Sequence, residues 1–121
     1  MTAIDVLVLL AFHTVADFML QTDWQARNKW QSARALWSHV FVYSACLVVW
    51  AVGFTEMSMV QVFGFFLMTV CTHGLTDLVT SQFTHKYGAC QEWHSFFVVV
   101  GVDQYIHAWT LVVTAMVILR G

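Results

Sequence analysis

The chain has 121 residues, of which 60% are hydrophobic, only 10% are charged and none is proline. A soluble domain of this size has about a quarter of its residues charged, so the composition argues against a water-soluble globular protein. The formal net charge of −2 offers no basic surface for nucleic acid. The three cysteines have no CxxC spacing, which argues against a disulfide framework and a cysteine-based zinc site.

Four apolar runs dominate the chain, and each is long enough to cross the hydrocarbon core of a bilayer as a helix. We predict an all-α membrane protein with a single domain, residues 1–121, in which four transmembrane helices form an antiparallel bundle. The predicted helices cover about residues 4–21, 36–54, 59–80 and 96–119. No basic residue precedes the first run and no small-residue cleavage pattern follows it, so we expect it to remain in the mature protein.

The basic residues predict the topology. Four of the five lie in the first and third predicted loops: Arg27, Lys29, Arg34 and Lys86. Short cytoplasmic loops collect Lys and Arg, so we expect loops 22–35 and 81–95 to be cytoplasmic and both termini to lie outside. The first loop also contains three tryptophans, which favour the headgroup region of the membrane.

Polar residues recur on one face of each predicted helix, at the i to i+4 spacing that stacks side chains along a helix. Three helices pair a histidine with an aspartate in this way. In an antiparallel bundle all of them fall in the cytoplasmic half, about 5 to 8 Å deep or somewhat deeper, so we expect them to meet. Gln21 and Gln104 are expected to orient the cluster. Its predicted members are His13, Asp17, His39, His73, Asp77, Asp103 and His107.

This cluster predicts a metal site. A carboxylate in a membrane helix costs about 2.5 to 3.5 kcal/mol, and no Lys or Arg lies within the predicted helices to offset it. Protonation, histidinium or a metal ion must then neutralise the carboxylates. Imidazole nitrogen and carboxylate oxygen are ligands of zinc, manganese and iron. We predict that all seven residues bind a divalent metal, zinc first and manganese or iron as alternatives, with Asp17, Asp77 and Asp103 also catalytic.

Two arrangements of the cluster stay open. Seven ligands exceed the need of one four-coordinate ion, so either two ions, or one ion with supporting Asp–His hydrogen bonds, would fit. A polar network that only holds the helices together is the alternative without metal.

The same residues carry a family resemblance. The motifs are His13-x-x-x-Asp17-Phe18-x-x-Gln21, then Lys29 and His39, then Thr72-His73-x-x-x-Asp77 and Asp103-Gln104-x-x-His107. Over nearly its whole length the chain resembles an uncharacterised family of small four-helix membrane proteins of bacteria and phages. The resemblance implies a multi-pass protein of the bacterial cytoplasmic (inner) membrane and no particular activity. A looser similarity exists to membrane-bound metal-dependent hydrolases of bacteria, although their fuller His-Arg and Thr-His-Ser pattern is absent.

Three functions follow as hypotheses. The first is a metal-dependent hydrolase of a lipid-linked or phosphoester substrate, whose phosphate Arg27, Lys29 and Arg34 would attract. The second is a proton or divalent-cation transporter or channel that acts as a homo-oligomer. The third is a non-catalytic phage or bacterial membrane protein that binds a host partner. The outer halves of the predicted helices are nearly all apolar, which favours a closed-ended site over a pore.

Overall fold

The computed structural model describes residues 1–121, and its regular structure consists entirely of helices. Helix α1 (Ala3–Thr14) continues into a π-helical turn (Val15–Met19), and the short helix α2 (Asp23–Asn28) follows. Three long helices complete the chain: α3 (Ala33–Phe54), α4 (Met59–Ala89) and α5 (Trp93–Arg120). The turns between the long helices are short, as in antiparallel helical hairpins.

Three helices, α3, α4 and α5, are long and apolar enough to cross a membrane. The prediction of an all-helical protein with membrane-spanning helices is confirmed to that extent. The first predicted span is shorter in the structure, because α1 has only 12 α-helical residues before the five residues of the π-helical turn.

Serine or threonine side chains begin the first four α-helices. Each accepts a hydrogen bond from the backbone N–H three residues later, at a position where the helix leaves that N–H without a partner. The capping residues are Thr2, Thr22, Ser32 and Ser58. These caps set the starting points of the helices.

The prediction of a loop over residues 81–95 is wrong, because most of this segment is helical. Helix α4 runs nine residues beyond Thr80, to Ala89, and α5 begins at Trp93. The polar residues after Thr80 lower the hydropathy of the segment without interrupting the helix. With 31 residues, α4 is about 46 Å long, against about 30 Å for the hydrocarbon core. The α4–α5 hairpin therefore extends beyond the apolar part of the bundle.

The bundle interior has an apolar and a polar part. The apolar core contains the largest buried side chain, Trp50, together with Phe65 and Leu111. The buried polar side chains gather nearer the α4–α5 turn, around His73, and large apolar side chains such as Phe63 cover the outside. A bundle that is apolar outside and polar inside suits a lipid environment.

Gly74 allows α3 and α4 to pack closely beside the polar part. A Cβ atom at this position would lie 2.5 Å from the ring of Trp37. Because glycine lacks that atom, the Trp37 ring of α3 can lie against α4 at Gly74, the residue that follows His73.

Candidate metal centre

Six of the seven predicted ligands converge in the polar part of the bundle, and each is at most 9% exposed. They come from the π-helical turn and from the three long helices. The six are Asp17, His39, His73, Asp77, Asp103 and His107. The π-helical turn carries Asp17 to the side chain of His39 on α3, which agrees with the tendency of such turns to occur at functional sites.

Four of these residues form a compact first group, Asp17, His39, His73 and Asp77. His39 Nε2 lies 3.1 Å from Asp17 Oδ1, 3.3 Å from Asp77 Oδ2 and 3.1 Å from His73 Nε2. His73 Nε2 lies 3.5 Å from both carboxylate oxygens. Ligands bound at about 2.0–2.1 Å around a tetrahedral zinc ion are separated by about 3.3 Å. Five of the six edges of this group therefore match a tetrahedral metal site.

A second group lies on the other side of the Asp77 carboxylate. His107 Nε2 is 3.1 Å from Asp77 Oδ1 and 3.1 Å from Asp103 Oδ1. Asp17 also lies within ligand distance of Asp103 and His107. The Thr80 hydroxyl donates a hydrogen bond of 2.5 Å to Asp103 Oδ1. The carboxylates of Asp17 and Asp77 thus lie between the imidazoles of the first group and the side chains of the second group.

Aromatic stacking fixes the imidazole planes. The Tyr43 ring stacks on His73 at a centroid distance of 3.6 Å, and His73 stacks on His107 at 4.0 Å. The Nδ1 atoms of His73 and His107 are buried and have no hydrogen-bond partner within the chain. Both rings therefore direct their Nε2 atoms toward the carboxylates.

His13 lies next to the cluster and belongs to neither ligand group. Its Nδ1 is hydrogen-bonded to Tyr43 Oη at 2.7 Å, and its Nε2 to Gln104 Oε1 at 3.0 Å. The amide nitrogen of Gln104 in turn donates to Asp17 Oδ2 at 2.8 Å and to Asp103 Oδ2 at 3.1 Å. His13 thus fixes the orientation of Gln104, and Gln104 holds two carboxylates.

A lysine contacts the cluster, contrary to the sequence-based argument that no basic residue balances the carboxylates. Lys29 lies between α2 and α3, and its Nζ is 3.0 Å from Asp77 Oδ2. Its side chain is 17% exposed, whereas that of Asp77 is 1% exposed. Lys29 lies outside the predicted helices and reaches the cluster from the segment between α2 and α3. The one available signal was the place of Lys29 in the family pattern.

A cleft of about 700 Å³ leads to the cluster from the side of α2 and the α4–α5 turn. Asp17, Asp103 and Gln104 line its inner end, and Arg27 and Lys29 line its wall. His39, His73, Asp77 and His107 lie behind these residues, outside the lining of the cleft. Arg34, the third basic residue predicted near a substrate, does not line the cleft either.

Aromatic side chains form much of the remaining wall. The Trp30 ring stacks on His85 at 3.5 Å, and the Trp30 carbonyl accepts a hydrogen bond from Gln82. Trp93 and Phe96 of α5 also line the cleft. The cleft therefore combines an acidic inner end, a cationic wall and an aromatic wall, in a volume typical of ligand pockets.

Comparison with known proteins assigns a family without an activity. No curated protein and no solved structure matches the chain. The profile of the family described as "Protein of unknown function (DUF3307)" matches residues 6–120, a range that includes every residue of both ligand groups. The resemblance to a family of uncharacterised proteins is thereby confirmed, and the chain belongs to the DUF3307 family.

Proposed function

We propose that the protein is an integral-membrane metallohydrolase that cleaves a phosphoester bond of a lipid-linked substrate. The observation that carries this proposal is the first ligand group, in which five separations among two imidazole nitrogens and two carboxylate oxygens are those of tetrahedral zinc ligands. Four-helix bundles commonly hold metal ions in this way, with ligands from facing helices.

Charge balance supports a divalent ion in this group. Asp17, Asp77 and Asp103 contribute three negative charges, and Lys29 contributes one positive charge. Two negative charges remain in a part of the bundle that is nearly closed to water, where uncompensated charge is costly. One divalent cation brings the formal sum to zero with neutral histidines. Zinc fits an N₂O₂ tetrahedron best, and manganese or iron would accept the same donors.

The cleft supports a phosphate-bearing, amphiphilic substrate. Arg27 and Lys29 line the same cleft as Asp17 and Asp103 and offer cationic hydrogen-bond donors to the oxygens of a phosphate bound there. Trp93 and Phe96 offer an apolar surface for a hydrocarbon segment that remains in the membrane. A soluble phosphate ester would make no use of the aromatic wall.

The chemistry needs one water molecule and no further reactant. A divalent ion held by the first ligand group would supply the Lewis acid that activates this water, and Asp103, which lines the cleft, would accept its proton. As the water oxygen bonds to phosphorus, the bond from phosphorus to the leaving-group oxygen breaks. That oxygen takes the proton from Asp103, which gives a lipid alcohol from a lipid monophosphate or a lipid monophosphate from a lipid diphosphate, and inorganic phosphate leaves through the cleft.

The arrangement of the bundle favours an enzyme over a transporter. Beyond the cluster the interior is filled by apolar side chains such as Leu9, Leu47 and Trp50, so no polar path continues through it. We propose that α1 with its π-helical turn is a fourth, short membrane span and that the cleft opens at the cytoplasmic leaflet of a bacterial inner membrane. The excess of Lys and Arg at this end of the bundle, with Arg27, Lys29 and Arg34 around α2 and Lys86 in the last turn of α4, supports this orientation.

The test measures metal content and phosphate release on one preparation. The protein is purified in detergent without chelator, analysed for metals, and assayed for inorganic phosphate release from phosphatidate and from a polyprenyl diphosphate. We expect about one equivalent of a divalent metal and release of phosphate that stops with EDTA and returns with zinc or manganese. Metal-free protein that cannot be loaded would refute the metal site. Loaded protein that moves cations across liposomes and releases no phosphate would refute the hydrolase.

A further inference from the structure

We propose that the centre holds two ions, and that the second is bound by His107, Asp103 and Asp17, with Oδ1 of Asp77 beside His107. This inference rests on the proposed function, because it assumes that an ion already occupies the first group. Beyond the proposed function, it assigns a second metal-binding position, which has further ligands, lies closer to the cleft and binds its ion with a different affinity.

The second position uses donors that the first ion leaves over. The first group engages Asp17 Oδ1 and Asp77 Oδ2, while Asp77 Oδ1 faces His107 Nε2 at 3.1 Å. His107 Nε2 also lies 3.1 Å from Asp103 Oδ1. These separations match those of the first group and are near the ligand spacing expected around one ion. Asp77 would then contact the two ions through different oxygens, and Asp17 belongs to both groups.

The stacked imidazoles set the distance between the two positions. His73 and His107 stack with centroids 4.0 Å apart and planes inclined by 25°. Their Nε2 atoms face opposite oxygens of Asp77, at 3.5 Å for His73 and 3.1 Å for His107. Metal ions that share bridging ligands in two-metal hydrolytic centres lie about 3.5–4 Å apart. Nearly parallel rings with this separation suit such a pair.

The second position is the one that a substrate would meet. Asp103 lines the cleft and belongs only to the second group, and Asp17, which belongs to both groups, lines it too. The three other members of the first group lie behind the cleft, as does His107. The ion in the second position would therefore contact a phosphate oxygen of the substrate. The ion in the first position would lie deeper in the bundle, on the far side of the shared carboxylates. Asp103 would bind the ion through Oδ1 and keep Oδ2, on the Gln104 side, for the proton of the attacking water.

Charge predicts that the two ions bind with different strength. The first divalent ion, with Lys29, already balances the three aspartates. A second ion leaves two excess positive charges, which hydroxide or a phosphate anion in the cleft would offset. The second ion should therefore bind weakly alone and more tightly with phosphate, since each ligand stabilises the other by the same coupling free energy.

The experiment titrates the purified protein with Mn²⁺, with and without inorganic phosphate, and follows bound metal and the EPR spectrum. We expect one equivalent to bind first, and a second to bind at least about tenfold more tightly with phosphate and to give the spectrum of a spin-coupled pair. His107→Ala and the nearly isosteric Asp103→Asn should each keep the first equivalent and lose the second. His94→Ala, at an exposed histidine, is the matched control and should retain both.

The outcomes separate this inference from the proposed function. A single equivalent with or without phosphate would overturn the second position and leave the metallohydrolase standing. Two equivalents that both survive His107→Ala and Asp103→Asn would also overturn it, because the second ion would then lie elsewhere. Binding of no metal would overturn both proposals.

Discussion

The ammonium nitrogen of Lys29 lies 3.0 Å from Oδ2 of Asp77, the same oxygen that faces His39 and His73. The segment between α2 and α3 thus delivers a positive charge to a carboxylate buried among three long helices. Without metal, Lys29 is the only lysine or arginine that bonds a cluster carboxylate. Lys29 also lines the cleft, so the same side chain contacts both the buried cluster and the cleft.

Replacement of Lys29 should separate these two roles. Removing one partner of a buried ion pair costs on the order of 3 kcal/mol, so Lys29→Met should markedly lower the melting temperature of the metal-free protein. In the zinc-loaded protein the ion itself offsets Asp77, and the loss should be clearly smaller. Phosphate release should show a raised KM. Lys86→Met, at an exposed lysine, serves as control, and an equal loss of stability with and without zinc would contradict the pairing.

Asp77→Asn should release the metal without unfolding the bundle. The amide keeps the shape and removes one buried charge, and Lys29, which is 17% exposed, can still reach water, so the metal-free variant should lose less stability than Lys29→Met does. Its metal content should fall to about a tenth or less of the wild-type value, because both ligand groups use this carboxylate. Elemental analysis and thermal denaturation on one preparation check this expectation.

The matched control for Asp77→Asn is Asp23→Asn, at an exposed aspartate in the first turn of α2. It should leave metal content unchanged. Full metal retention in Asp77→Asn, with unchanged activity, would show that the cluster is a hydrogen-bonded network and no metal site.

Tyr43→Phe should cost stability with little effect on metal content. The variant keeps the ring that stacks on His73 and removes the hydroxyl that is hydrogen-bonded to His13 Nδ1. A buried polar atom left without its partner costs about 1–3 kcal/mol. Denaturation of the metal-free protein should show this loss, and Tyr105→Phe, at a tyrosine that is 70% exposed, should not. A loss of metal equal to that of Asp77→Asn would mean that His13 and Tyr43 act directly on the ion.

The topology can be tested with a native cysteine. Cys90 is exposed in the turn between α4 and α5, close to Lys86. With Cys46 and Cys71 replaced by alanine, a membrane-impermeant maleimide should leave Cys90 unlabelled in intact cells and label it after the inner membrane is opened. Labelling in intact cells would place this turn outside and would reverse the proposed orientation of the cleft.

The sequence alone determined the class of the protein and most of the cluster. Long apolar runs demand helices in a membrane, because a lipid environment leaves the backbone no other partner for its hydrogen bonds. Once the segments are helical, the 3.6-residue period places His73 with Asp77 and Asp103 with His107 on common faces. The high cost of buried carboxylates then predicts that these faces meet.

Only the tertiary structure decided how the candidate ligands divide into two groups. Helix rotation and side-chain rotamers, which the helical period leaves free, decide that Asp17 joins two groups. One group contains His39, His73 and Asp77, and the other contains Asp103 and His107. The exclusion of His13 has the same origin, since its two nitrogens bond Tyr43 and Gln104. Helix α4 extends past Thr80 because packing on α5 sustains a polar segment that hydropathy excludes from a span. The reach of Lys29 to Asp77 joins residues 48 positions apart, a contact that folding sets and local patterns do not encode.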